Sequence, residues 1–217
     1  MSKKRIKLLF VVTIISALFS IQLMAASDFV YRPETAFSGS FCSKISWGAS
    51  VEPEISNHAQ QISCISIVGG ISWSPTSYLS LTPQLLYAAK GTDANSNEIR
   101  PRLSVELNKK ISAIKFAWRN RFEYRMKEDK DEYWRYRSRI KVKLPKYNNL
   151  SPYFYNEIYY ELGDVDEYSH NAAGIGVGIP LKGNVSLKVD FQLNHSRGVD
   201  KWEKGDLHLI TVLKLSL

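Results

Sequence analysis

Residues 132–144 read EYWRYRSRIKVKL, and this segment decides the fold. Its odd positions carry a row of basic side chains: Arg135, Arg137, Arg139, Lys141 and Lys143. Its even positions carry mostly aromatic or aliphatic side chains: Trp134, Tyr136, Ile140, Val142 and Leu144. Alternation over about ten residues predicts a β-strand with two unlike faces, here one basic and one apolar.

The same period of two recurs along the chain. We predict strands near the following residues: 41–51, 61–73, 78–88, 98–107, 111–125, 132–144, 152–161, 170–179, 184–194 and 207–217. About ten residues is also the length that a tilted strand needs to cross a bilayer. The pattern therefore predicts an all-β fold, an antiparallel up-and-down transmembrane β-barrel of about ten strands.

The N-terminus has the layout of a secretory signal peptide. A basic segment at 3–7 precedes an apolar run at 8–23, and small residues follow where a signal peptidase would cut. An uncleaved membrane anchor is the alternative, because the run approaches the length that spans a bilayer. We divide the chain into a signal peptide at 1–26, a periplasmic N-terminal segment at 27–40 and a β-barrel at 41–217.

Cleavage of the signal peptide changes the charge of the protein. The whole chain has 29 basic and 21 acidic residues, a formal net charge of +8. The leader removes four basic residues and no acidic ones, which leaves 25 against 21, or +4. Export and the smaller charge both argue against a nucleic-acid partner. We expect the mature chain in the bacterial outer membrane, with lipids, lipopolysaccharide and the barrel assembly machinery as its partners.

A soluble periplasmic barrel of the lipocalin type, with its apolar face inward, is the alternative architecture. The connections favour the membrane barrel. Long ones, which alternate with mostly shorter turns, are predicted at 52–60, 89–97, 126–131, 162–169 and 195–206. Acidic residues concentrate in the long connections, whereas the short ones carry lysines. Outer-membrane barrels have long external loops and short periplasmic turns. An even strand count would place both chain ends in the periplasm.

The basic rows belong to the face that we assign to the lumen. The predicted lumenal charge network comprises Arg100, Arg102, Arg119, Arg121, Glu123, Arg125, Arg135, Arg137, Arg139, Glu157 and Glu161. Counting back from a turn near residue 148 places Arg139 opposite Glu157 and Arg135 opposite Glu161. Opposed unlike charges stabilise neighbouring strands. The surplus positive charge needs carboxylate, water or an anionic ligand as a partner.

Three functional hypotheses follow from this lumen. Eight strands leave an interior just filled by side chains, so about ten strands favour a structural barrel with a plugged or narrow lumen. The second hypothesis is a site for a small anion or a lipid headgroup. The third is a lipid-modifying or proteolytic enzyme, with His58, His170 and His195 at the outer rim and Ser196 and Asp200 after the last of them. No GxSxG or HExxH motif occurs, so we assign no catalytic residue, metal site or cofactor.

Cys42 and Cys64 are the two cysteines of the chain, and both fall at even positions that point into the predicted lumen. They lie opposite each other if the first hairpin turns near residue 53, and a disulfide would then form in the oxidising periplasm. If the hairpin turns over the whole 52–60 segment, they are offset and remain free thiols. Both alternatives stay open from the sequence.

The central third of the chain also carries a family resemblance. Residues 118–125, 135–139 and 151–158 are followed by Asn171 and by the alternating glycines Gly174, Gly176 and Gly178. Together they resemble the bacterial domain-of-unknown-function 2490 family. The resemblance extends from the third predicted strand onward and is clearest between residues 118 and 180. It implies an outer-membrane barrel and implies no particular reaction.

Overall fold

The computed structural model describes residues 28–56, 58, 60–90, 97–128, 130–163, 167–197, 202–203 and 205–217. These residues form an all-β closed barrel of eleven strands. The strands are β1 (Phe29–Cys42), β2 (Ile45–Ser56), β3 (Gln61–Trp73), β4 (Leu79–Lys90), β5 (Glu98–Ile111), β6 (Ile114–Lys127), β7 (Lys130–Lys143), β8 (Ser151–Leu162), β9 (Glu167–Pro180), β10 (Val185–Ser196) and β11 (Asp206–Ser216). In the described part of the chain no helix is long and apolar enough to cross a membrane.

Ten of the eleven strand pairings are antiparallel, and the barrel closes through a parallel pairing of β1 with β11. That pairing runs from Phe29 opposite Leu207 to Ser38 opposite Ser216. The prediction of an even strand count was therefore wrong. Since β1 and β11 run in the same direction, β1 begins at one end of the barrel and β11 finishes at the other.

The additional strand is β1, which occupies most of the segment at 27–40 that the sequence predicts to lie outside the barrel. The predicted start of the barrel at residue 41 was wrong for a physical reason. The two faces of β1 differ little, because Pro33 and Gly39 interrupt the apolar outer row while Val30 and Ala36 dilute the polar inner one. The strands β2 to β11 correspond to the ten that the alternation predicted.

The connections define two ends of the barrel. The loop end carries the connections 57–60, 91–97, 128–129, 163–166 and 197–205, and the turn end carries 43–44, 74–78, 112–113, 144–150 and 181–184. The predicted difference in length is smaller than expected, because the strands are longer. For example, β6 and β7 extend to Lys127 and Lys130, which reduces the predicted loop at 126–131 to residues 128–129.

The two faces of the wall are opposite in character. Large apolar side chains are exposed on the outside of every strand, as at Ile67 (54%), Trp118 (46%) and Ile140 (56%). The inside holds fully buried ionised side chains instead, among them Glu98 and Glu123, both 0% exposed. The barrel thus has its apolar surface outside and its charged groups in the lumen.

Candidate functional site

The candidate site is a set of charged side chains on the inner faces of β5 to β8, which we name the arginine–glutamate network. Its members are Glu98, Arg100, Arg102, Arg119, Arg121, Glu123, Arg125, Arg135, Arg137, Arg139 and Glu157. Each strand contributes alternate residues, because successive side chains of a strand point to opposite faces. Ten of the eleven residues predicted for the lumenal network are members of it.

The register of β7 with β8 is the one expected from the sequence. Arg139 is opposite Glu157 and Arg135 is opposite Glu161 in the pairing of β7 with β8. Glu123 is opposite Arg135 in the pairing of β6 with β7. The short connections at the turn end, together with strong alternation on β6, β7 and β8, determine this register.

Glu123 is the centre of one half of the network. Its Oε2 accepts hydrogen bonds from Arg135 Nε at 2.9 Å and Arg135 Nη2 at 2.5 Å. Its Oε1 accepts one from Arg137 Nη1 at 3.1 Å. Arg102 Nε at 3.3 Å and Arg121 Nη1 at 3.7 Å complete the ring of ion pairs. One buried carboxylate therefore faces four guanidinium groups.

Glu157 is the centre of the other half. Arg137 donates to both of its oxygens, through Nε at 3.2 Å and Nη2 at 3.1 Å, and Arg119 Nη2 donates at 2.9 Å. Arg139, its cross-strand neighbour, is the most distant partner at 3.9 Å. Long guanidinium side chains reach diagonally past their direct neighbours. The shortest ion pairs are therefore not those between directly opposed residues. Arg137 contacts both Glu123 and Glu157 and joins the two halves.

Glu98 is the member that the sequence reasoning missed. It forms ion pairs with Arg100 at 2.6 Å and with Arg125. The sequence does indicate a lumenal position for Glu98, because this residue begins the predicted strand at 98–107 on the same face as Arg100. Glu161, which was predicted, has instead the Tyr133 hydroxyl at 3.5 Å, and no ion pair of Glu161 with arginine is found among the described residues.

Neutral groups accommodate the excess of arginine over glutamate. Arg121 donates from Nε to Ser104 Oγ at 2.8 Å and from Nη2 to Gln84 Oε1 at 3.3 Å. The guanidinium carbon of Arg137 lies 4.4 Å from the centre of the Tyr159 ring, and the ring face attracts a cation. Among the residues described, Nε of Arg100, Arg102 and Arg119 has no hydrogen-bond acceptor.

Two tyrosines of β8 extend from the network across the glycines of β9. A Cβ atom at Gly174 would lie 2.4 Å from Cζ of Tyr155, and one at Gly176 would lie 2.7 Å from Cζ of Tyr153. The glycines therefore allow the rings to lie flat against the wall. The Tyr155 hydroxyl then reaches β10, where it donates to Gln192 Oε1 at 2.7 Å.

The cysteines do not form a disulfide, and the turn that would have placed them together is absent. Residue 53 lies within β2, and both thiols are free. Cys42 pairs with Ile45 at the turn end, whereas Cys64 pairs with Glu54. Those partners are nine positions apart along β2 (45 to 54), or roughly 30 Å at about 3.3 Å per residue, far beyond disulfide reach.

Two of the histidines considered for catalysis lie on neighbouring strands: in the pairing of β9 with β10, Ser196 is opposite His170 and His195 is opposite Asn171. Successive side chains of a strand point to opposite faces, so His195 and Ser196 face opposite sides of the wall. His58 lies 3.6 Å from Asp28, and His170 packs on Tyr159 inside the barrel. His195 Nδ1 is 3.3 Å from the backbone oxygen of Glu203. Asp200 falls outside the described residues. Within the described ranges no three His, Cys, Asp or Glu residues come together as a metal site.

Comparison with known families agrees with the resemblance seen in the sequence. A family described as protein of unknown function (DUF2490) matches residues 33–203. No curated protein matches the chain. The match begins within β1, so it includes the first hairpin as well as the network. Since it covers well over half of the sequence, the chain belongs to the DUF2490 family.

Proposed function

We propose that the mature chain is a bacterial outer-membrane β-barrel whose lumen is closed by the arginine–glutamate network. In this proposal the leader at 1–26 directs export, and the turn end faces the periplasm. We assign no reaction to the barrel. It acts as a structural barrel or a binding barrel rather than as an open channel.

The apolar exterior is the observation that carries the proposal. Exposed aliphatic and aromatic side chains surround the whole barrel, whereas soluble monomers rarely expose apolar patches above a few hundred Å². Each Å² of apolar surface left in water costs about 25 cal/mol, which lipid contact would avoid. A lipocalin-like barrel would have the opposite arrangement, with its apolar face inside.

Exposed aromatic residues near both ends add support. Trp73 and Tyr78 lie near the turn end, and Trp134 and Tyr168 lie near the loop end. At the loop end the Tyr124 and Trp134 rings pack 4.9 Å apart, as do Tyr160 and Tyr168 at 5.1 Å. Barrels that span outer membranes carry girdles of aromatic residues at both interfaces.

The proposed location is tested by fractionating cells that express the full chain. We expect mature protein in the outer-membrane fraction, beginning near Ser27. It should migrate differently on gels before and after boiling, because a closed barrel resists unfolding by detergent. Recovery of folded protein from the soluble periplasm would contradict the proposal.

The closed lumen is tested by inserting the purified barrel into planar bilayers. Eleven strands are far fewer than the sixteen or so of porins, and the buried network adds long side chains to the interior. We therefore expect no steady current, with a sixteen-stranded porin as the positive control. A reproducible conductance step with each insertion would show that the network does not close the lumen.

A further inference from the structure

Five lysines of β6, β7, β10 and β11 line the lumen on the turn-end side of the arginine–glutamate network. We name them the lysine band: Lys115, Lys141, Lys143, Lys188 and Lys214. Along β7 the inner residues from the turn end inward are Lys143, Lys141 and then Arg139, so the lysines come before the arginines. The pairing of β6 with β7 places Lys115 directly opposite Lys143.

The lysine band differs from the network in its partners. Each of the eight arginines forms at least one ion pair with Glu98, Glu123 or Glu157. No ion pair within 4.0 Å is found for a band lysine in the part of the chain that the structure describes. Like charges directly opposite each other, as at Lys115 and Lys143, are unfavourable without a counter-ion.

Three carboxylates lie near the band without pairing to it. Asp190 is near Lys141, Glu106 is near Lys143, and Glu34 is near Lys188. Glu106 already accepts a hydrogen bond from Asn108 Nδ2 at 2.8 Å. Glu52 lies beside Glu34, so the five lysines face four carboxylates at most, which still leaves a local excess of positive charge.

Two further features favour a ligand at this level. Lys141 Nζ lies 3.4 Å from the centre of the Tyr153 ring, which holds the ammonium group against the wall. Tyr153 is only 5% exposed, and its hydroxyl donates a hydrogen bond to the carboxylate of the neighbouring Asp190. Asp190 thus interacts with Tyr153 and does not form an ion pair with Lys141.

The wall across the lumen is built from small residues. In the strand order β8 is five strands from β2 in one direction and six in the other, so the two strands face each other. Near the turn end β2 and β3 present Ser46, Gly48 and Ser72 to the lumen. A Cβ atom at Gly48 would meet only the Phe37 backbone oxygen, at 3.7 Å, so no side chain occupies the space beside it.

We propose that the turn-end half of the lumen binds a phosphate-bearing anion through Lys141 and Lys188, with Lys115, Lys143 and Lys214 adding to the field. Ammonium groups bind phosphate as point charges, and the small opposite wall leaves room for the ligand. The inference rests on the proposed function, because the closed network makes this half a vestibule with one mouth. The phosphate comes either from a soluble compound or from a phospholipid headgroup at that mouth.

The test is calorimetric titration of the full-chain barrel, purified in non-ionic detergent, with pyrophosphate as the probe. Heat-modifiable mobility first establishes that each sample is a folded barrel. We expect the Lys141→Met, Lys188→Met double variant to bind at least about tenfold more weakly. The matched control is Lys109→Met, Lys146→Met, two exposed lysines at the turn end that lie outside the lumen, which should bind like the wild type.

A second measurement does not depend on variants. Acetylation of the folded barrel, read by mass spectrometry, should show Lys141 and Lys188 protected by pyrophosphate and Lys146 unprotected. Equal affinity of the double variant, equal loss in the control, or no binding by a folded wild-type barrel would each overturn the inference. A barrel that folds only as a soluble protein would instead overturn the proposed function.

The source of the phosphate is distinguished by competition in the non-ionic detergent, which itself carries no phosphate. If short-chain phosphatidylcholine, which has a phosphate but no net charge, competes with pyrophosphate, the vestibule accepts a lipid headgroup. If it does not compete, the ligand is a soluble phosphate compound. Either result upholds the anion site, provided that the double variant loses binding.

Discussion

Glu123 has more cationic partners than any other carboxylate of the lumen, and its loss should be correspondingly severe. Four guanidinium groups lie within 3.7 Å of its oxygens. The Glu123→Gln variant keeps the shape of the side chain but leaves those cations without their shared counter-charge. Removal of one partner from a buried ion pair typically costs about 3–5 kcal/mol.

The Glu123→Gln prediction is measured as the urea concentration at which heat-modifiable mobility is lost. We expect the variant to unfold at clearly lower urea than the wild type. The control is Glu203→Gln, which changes an exposed carboxylate and should leave the midpoint unchanged. Equal midpoints for the two variants would show that the network contributes little to stability.

The residue scale also shows where sequence reasoning succeeded and where it stopped. The register of Arg139 with Glu157 follows from counting residues back from a turn, which needs only the period of a strand. The central role of Arg137 does not follow from counting. Its guanidinium group reaches Glu123 and Glu157 diagonally, and such reach depends on side-chain conformation, which alternation does not encode.

At the scale of elements, β8 and β9 are complementary in side-chain size, because tyrosine rings of β8 lie over glycines of β9. Gly174→Val would force a branched side chain into the space of the buried Tyr155 ring, which is 5% exposed. Overpacking of this kind typically costs about 1–3 kcal/mol. Gly69→Val is the matched control, because a Cβ atom there would have nothing within 4 Å.

We expect Gly174→Val to lower the urea midpoint and Gly69→Val to leave it unchanged or raise it. Combining Gly174→Val with Tyr155→Leu should restore part of the loss, because the smaller side chain vacates the space above β9. No recovery in the double variant would show that the ring is not the cause of the loss.

The strands also differ in how well their faces could be recognised from the sequence. On β7 every inner residue from Arg135 to Lys143 is basic, so the strand and its faces were evident. On β1 the inner row contains Val30 and Ala36, and the outer row contains Pro33. The strand conformation of this segment depends instead on its pairing with β2 and β11, which the local sequence pattern does not encode.

At the scale of the whole molecule, the apolar exterior gives a test that separates a membrane barrel from a soluble one. Ile140 is 56% exposed on the outside of β7. Arginine on the lipid face costs about 2–4 kcal/mol near the bilayer midplane. In water the same change would be neutral or favourable, so the sign of the effect identifies the surroundings.

For Ile140→Arg we expect a lower yield of folded barrel in the membrane fraction and a lower urea midpoint in lipid vesicles. Ile140→Val, which stays apolar, should behave like the wild type. An Ile140→Arg variant that assembles normally would indicate that this face does not contact lipid.

The parallel seam between β1 and β11 determines which side of a membrane each terminus would occupy. In an even-numbered barrel both chain ends lie at the same end of the barrel, but here Phe29 lies beside the loops and Leu217 beside the turns. An epitope inserted before Asp28 should be displayed to antibody on intact cells, whereas one after Leu217 should react only once the outer membrane is permeabilised. Detection of both epitopes on the same side would mean that β1 does not complete the wall in the cell.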